Sequence, residues 1–299
     1  MSSQDLLPTE TAMGALTLKV GDLAAMSAYY AAALTLEVQE EGGGVVVLGR
    51  RGAPVLRLEA AGHLRLPPRG EAGLFHTALL FGDRADLAVA VASAARHPLS
   101  TFAGSADHLV SEAFYFSDPE GNGIELYVDR PRASWNWSRD EQGNRTVTMD
   151  SLPLSPREYI DAHLTEEAIT QAETRNAVVG HVHLQVGDVG LAQSFYVDIL
   201  GFERTAGWHD QALFVSAGGY HHHMAMNVWN SRGAGPRRDT LGLGEVLIRV
   251  PGADDVAALA DRLGHAGIAS HHTGAELRFE DPWRNRMRVT VDGAPGGIA

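Results

Sequence analysis

Cysteine is absent from this chain of 299 residues, which excludes disulfides, thiolate metal sites and cysteine nucleophiles and leaves histidine and carboxylates for any metal. Basic runs are absent too. Arg237-Arg238 is no more than a pair, and 24 Lys and Arg stand against 37 Asp and Glu for a net charge of −13. Neither a phosphate backbone nor an anionic membrane is drawn to such a surface, so no nucleic-acid or membrane partner is expected. No uninterrupted apolar run approaches a membrane span. The opening MSSQDLLPTETAMGAL has an early acid and a proline where a secretory signal has basic residues before an apolar core, so the expected location is the cytoplasm. What is present, 44% hydrophobic and 20% charged residues, is the composition of a folded globular protein, long enough for one large domain or two ordinary ones.

The chain repeats itself. ALTLKVGD at 15–22 runs into the helical pattern of 23–34, and HVHLQVGD at 181–188 runs into VGLAQSFYVDIL, ending at Leu200. Both share the Val-Gly-Asp signature, with the Asp suited to cap a helix, and both carry an aromatic pair inside the helix, Tyr29-Tyr30 and Phe195-Tyr196. Extended stretches follow at 45–48 and 55–58 in the first copy, and at 212–215 and 221–228 in the third. A second variety opens at Leu74 and recurs near Glu245; each copy closes on an Asp-Pro turn, Asp118-Pro119 or Asp281-Pro282. The reading is therefore α+β, with four βαβββ modules forming two open-barrel pairs, because one such unit exposes an apolar sheet face and cannot stand alone. Modules one and two span 12–131, a connecting segment 132–178, and modules three and four 179–293, with a helix expected near 156–172 after Ser155-Pro156.

Equivalent positions in the repeat single out three residues. Matching the Val-Gly-Asp signatures sets Ala15 against His181; matching modules two and four sets His76 against Glu245; matching the Asp-Pro turns sets Glu125 against Arg288. Alone, an imidazole in a strand is a common core or surface residue, and Glu125 in DHLVSEAFYFSDPEGNGIELY reads as a solvated carboxylate beyond a hairpin turn. Together, two imidazoles and one carboxylate from converging strands make the facial set that suits non-heme Fe(II) or Mn(II). Tyr220-His221-His222-His223 is expected to open a strand, with His221 and His223 on one face and His222 on the other. Which set looks into the barrel is left open by alternation alone. Trp135, Trp137 and Trp229 fit either a substrate mouth or interface packing.

These motifs resemble the vicinal oxygen chelate superfamily, and most closely its extradiol ring-cleaving dioxygenases of the catechol 2,3-dioxygenase type. The resemblance rests on the four-module layout, on FYVDILGF at 195–202 and on HLVSEAFYFSDPEGNGIELY at 108–127. It implies a metal held by His76, Glu125 and His181. It further implies Tyr115 and His108 on the substrate side and His223 as the histidine that handles protons. The cofactor implied is Fe(II) or Mn(II), and the activity is O2 insertion into a catechol-type aromatic diol, giving a muconic semialdehyde-type product of aromatic degradation. A homo-oligomer fits the barrel edges. The alternatives are a glyoxalase-like isomerase or lyase, or a non-catalytic aromatic- or antibiotic-binding protein. In the family the ligands come from the third and fourth modules; here they fall in the second and third, so the active barrel is expected from modules two and three.

Overall fold

Residues 6–140, 143–171 and 176–293 are described by a computed structural model. Each module is a strand, a helix and three strands. The first comprises Leu16–Val20, helix Leu23–Leu34, Glu37–Gly42, Val45–Arg50 and Ala53–Ala60. The second comprises Gly73–Phe81, helix Arg84–Arg96, Thr101–Asp107, Ser111–Ser117 and Gly123–Asp129. The third has Ala177–Gln185, a helix at Val189–Gln193 that widens into a π turn over Ser194–Ile199, then Glu203–Trp208, Ala212–Ser216 and Met224–Asn227. The fourth has Gly242–Val250, helix Ala253–His265, Ser270–His272, Glu276–Glu280 and Arg286–Val291. The Val-Gly-Asp aspartates cap their helices: Asp22 accepts from the Ala25 amide at 3.0 Å and Asp188 from that of Leu191 at 2.7 Å.

In every module the first strand pairs in parallel with the last. Antiparallel pairing of first strands then joins modules into two large sheets. Gly73–Phe81 lies beside Ala177–Gln185, so modules two and three share one sheet; Leu16–Val20 lies beside Gly242–Val250, so modules one and four share the other. The apolar strand faces and the helices between them form a continuous core that takes in Leu18, Leu79, Val182 and Val246. Among the described residues, no helix is long and apolar enough to cross a membrane.

The strands that the sequence pattern leaves unlocated in modules one and three are Glu37–Gly42 and Glu203–Trp208, edge strands with little apolar patterning, the usual composition of an edge. Two local expectations need correction. The helix expected near 156–172 is two helices, Pro156–His163 and Glu166–Gln171, because Thr165 interrupts the run and its hydroxyl accepts from the Ala168 amide; its expected end lies outside the described residues. The histidine triplet is not in a strand. Gly218 and Gly219 both take positive φ, the chain bends through His221–His223, and regular pairing resumes at Met224.

Candidate metal centre

The site is built on three adjacent strands. Gly73–Phe81 is the central one, with Gly123–Asp129 parallel on one side and Ala177–Gln185 antiparallel on the other. Ala78 in the central strand is in register with Glu125 on one flank and with His181 on the other. His76 is two residues from Ala78 and so shares its face. The short Ala78 side chain leaves the space above it to the two larger flanking groups. A bulge between Val179 and His181 adjusts the register, and Gly180 is required there: a Cβ would fall 1.7 Å from the Tyr127 hydroxyl.

Oε2 of Glu125 lies 2.9 Å from Nε2 of His76 and 3.1 Å from Nε2 of His181. One ligand atom from each residue lies within 4.8 Å of the others, and all three residues are buried. Burial pushes the Glu125 carboxyl up, but the His181 and His76 imidazoles more than reverse this and hold it well below the usual carboxylate range. Burial lowers His181 to about 4, with Glu125 opposing, which leaves a neutral ring with a lone pair. Nε2 of His76 has no hydrogen bond of acceptable geometry although it is buried against the carboxylate. A buried carboxylate between two imidazole nitrogens is a ligand set that a divalent cation completes by displacing the ring hydrogens on that side, and nitrogen with oxygen suits Fe(II), Mn(II) or Zn(II).

The cluster opens on a cavity of about 1090 Å³. Tyr115 lies across from Glu125 in the next strand; burial first, and the Glu125 charge second, raise its phenol well above the ordinary value. Its hydroxyl is 2.7 Å from Nε2 of His108, whose Nδ1 is 2.7 Å from the Asp150 carbonyl. A carbonyl only accepts, so Nδ1 of His108 carries a hydrogen and Nε2 faces the Tyr115 hydroxyl. Tyr115 and His108 therefore act as one unit, fixed by the connecting segment. That segment also forms cavity wall, through Thr146 to Ser151, rather than serving only as a crossing between halves.

The structure separates the three consecutive histidines. His223 turns back on its own bend, where Nδ1 accepts from the Ala217 amide at 3.2 Å and lies 3.0 Å from the Ser216 hydroxyl. His223, expected to handle protons, is not among the residues lining the cavity; His222 is, with its ring centroid 4.1 Å from that of His181. The strand alternation used to sort these side chains does not apply to a bend. His183 also belongs to the site: it pairs in register with His76, their rings 4.8 Å apart, and its Nε2 contacts the Asn227 amide at 2.9 Å. The HVH pattern signals it, since residues two apart in a strand share a face. Trp229 lines the mouth with Phe75, their rings 5.3 Å apart. Trp135 is instead buried against Tyr220 and His221, and Trp137 stacks under the Arg145 guanidinium.

The other sheet holds no such cluster among its described residues. Glu245, at the position of His76, pairs with Arg288, at the position of Glu125, at 2.8 Å. This half-buried ion pair, lining a cavity of about 640 Å³, stands where the ligands lie in modules two and three.

Comparison with known proteins places these features in a wider set. The model of the Glyoxalase/Bleomycin resistance protein/Dioxygenase superfamily matches residues 178–289. A Bacillus subtilis (strain 168) protein named catechol-2,3-dioxygenase is 40% identical over 222 residues, covering 73% of this chain and 74% of that protein. Among solved structures, a Bacillus subtilis protein attributed to the dioxygenases superposes with a TM-score of 0.64 at 12% identity, over 97% of this chain and 87% of that one. Glyoxalase I from Zea mays superposes with a TM-score of 0.57 at 12% identity, over 94% and 92%. At such identities the two structures speak to the fold alone.

Proposed function

Since this chain belongs to the glyoxalase/bleomycin resistance protein/dioxygenase superfamily, the vicinal oxygen chelate group, we propose that it is a metal-dependent extradiol ring-cleaving dioxygenase. It would insert both atoms of O2 beside the diol of a catechol-type aromatic, giving a muconic semialdehyde-type product without an external reductant. The observation that carries this reading is the gathering of His222, His183, Tyr115 and His108 around one cavity with the His76, Glu125 and His181 cluster. A Lewis-acid isomerase needs a polarised carbonyl and one base; extradiol cleavage moves protons on and off several oxygens.

The three ligands would hold Fe(II) or Mn(II), which supplies Lewis acidity that favours the diol anion, electrons for O2 and open coordination positions. The chain's own groups do the rest. Phe75, Phe214 and Trp229 offer apolar surface for an aromatic ring and keep water from it. Burial holds His222 and His183 well below the ordinary imidazole value, so both are neutral; the Asn227 amide occupies Nε2 of His183, which leaves His222 to accept a hydrogen bond from a diol hydroxyl. Tyr115, held by its hydrogen bond to His108, presents its hydroxyl to the cavity beside Glu125. Holding diol and O2 in one enclosed site removes much of the entropic barrier to their meeting.

The test is anaerobic loading with Fe(II) or Mn(II), then a panel of catechols followed by O2 uptake and by the absorbance of the ring-fission product. Stoichiometric uptake with ring opening is expected. Metal-loaded protein that binds catechols but consumes no O2 would overturn the reading, and turnover of a hemithioacetal instead would identify an isomerase.

A further inference from the structure

A second chain of polar groups runs away from the cavity behind His222. His222 and His221 meet through their Nδ1 atoms at 2.7 Å, and Nε2 of His221 lies 2.9 Å from Oδ1 of Asp129. The Tyr220 hydroxyl donates to the same carboxylate at 3.1 Å and lies 2.8 Å from the Tyr127 hydroxyl. Both histidines are buried, and the Asp129 side chain is 23% exposed.

The donors and acceptors in this chain can be ordered from its end. A carboxylate only accepts, so Nε2 of His221 carries a hydrogen. A neutral His221 then has a bare Nδ1, which can only accept, so Nδ1 of His222 must donate. That leaves the other nitrogen of His222, Nε2, as a lone pair on a ring that lines the cavity. We propose that Asp129, acting through His221, fixes the tautomer of His222 so that its free Nε2 is the base facing the substrate. Asp129 and His221 are positioning residues that need not touch the substrate.

The molecule contains its own comparison. The residue equivalent to Asp129 in module four is Asp292, which pairs with Arg249 at 3.2 Å instead. Ala53, Pro54 and Val55 of the first module's last strand stand where the histidine triplet would be. Among the described residues, the carboxylate–imidazole–imidazole chain is therefore confined to the sheet that carries the metal-ligand cluster. The role of His222 as base rests on the dioxygenase reading; the tautomer does not.

The decisive measurement is the tautomeric state of the histidines in full-length protein labelled with 15N at histidine, metal-free and Zn(II)-loaded, by two-bond 15N–1H correlation NMR. Assignments come from His221→Gln and His222→Gln. The expected result is His222 protonated at Nδ1 and His221 at Nε2. Asp129→Asn can turn an amide N–H toward His221, which reverses both rings; Asp129→Glu preserves them. In Fe(II)- or Mn(II)-loaded enzyme, D129N is expected to lose about 10²–10⁴-fold in kcat, the range for a general base, with KM little changed and D129E largely restoring it. A cationic His221, a wild-type His222 protonated at Nε2, or a D129N protein whose His222 tautomer is unaltered would each overturn the proposal. The wild-type spectrum decides even if D129N does not fold. The expected tautomers in a protein that cleaves no catechol would sink the dioxygenase reading and leave the wiring in place.

Discussion

The phenol of Tyr30 donates to Oδ2 of Asp118 at 2.6 Å, joining the helix of module one to the closing turn of module two. Tyr196 repeats the bond to Asp281 at 2.8 Å between modules three and four. Each aspartate also organises its own turn: Asp118 accepts from the amides of Glu120 and Asn122 and from the Asn122 side chain, and Asp281 does the same with Trp283 and Asn285. The aromatic pair and the Asp-Pro turn, two recurring features of the sequence, are thus halves of one interaction. It ties each module of one sheet to a module of the other.

Removing either phenol strands a buried carboxylate lone pair. Tyr30→Phe and Tyr196→Phe are each expected to cost about 1.5–3 kcal/mol, the range for a hydrogen bond to a charged group. Urea denaturation measures this, and a cost near zero for both would mean that the turns hold themselves.

Metal binding should be visible without any turnover. At a hundredfold excess of free metal over Kd the native state gains about 2.7 kcal/mol, so chelation should lower Tm. His181→Ala and Glu125→Ala should both lose the metal and the Tm response to it. A metal that binds equally well to these variants would lie elsewhere.

The neighbouring histidines should separate cleanly in kinetics. His222→Asn is expected to keep its metal and lose about 10²–10⁴ in kcat. His223→Asn is expected to keep kcat near wild type and cost about 1–3 kcal/mol of stability, because the Ala217 amide and Ser216 hydroxyl lose their partner. The reverse pattern would restore His223 to the reactive position.

Burial lowers His223 to about 3 from an ordinary value of 6.5. The folded state thus keeps this ring neutral where the unfolded chain protonates it. Its contribution is fully present above about pH 6.5 and is lost as pH falls toward 3, at about 1.4 kcal/mol per pH unit. Denaturation between pH 6 and 4 should show a slope shallower by about that amount in His223→Asn; identical slopes would show that the ring is solvated in the native state.

Local signals carried much of the reading. Module order, helix caps and turn positions are legible because a strand, a cap and a tight turn are each set by residues close in sequence. His76, Glu125 and His181 could be singled out because a repeated unit offers internal equivalents, and Ala15, Glu245 and Arg288 differ from them in chemistry. Residue types and spacing therefore determined which side chains were available to a metal and excluded cysteine from the outset. Only the tertiary structure decided that His222 faces the cavity while His223 turns away, that Asp129 stands behind His221, and that residues 146–151 form part of the wall. Those outcomes depend on a bend at two positive-φ glycines and on partners such as Asp129, 92 positions away from His221, and no local pattern encodes the direction of a side chain in a bend.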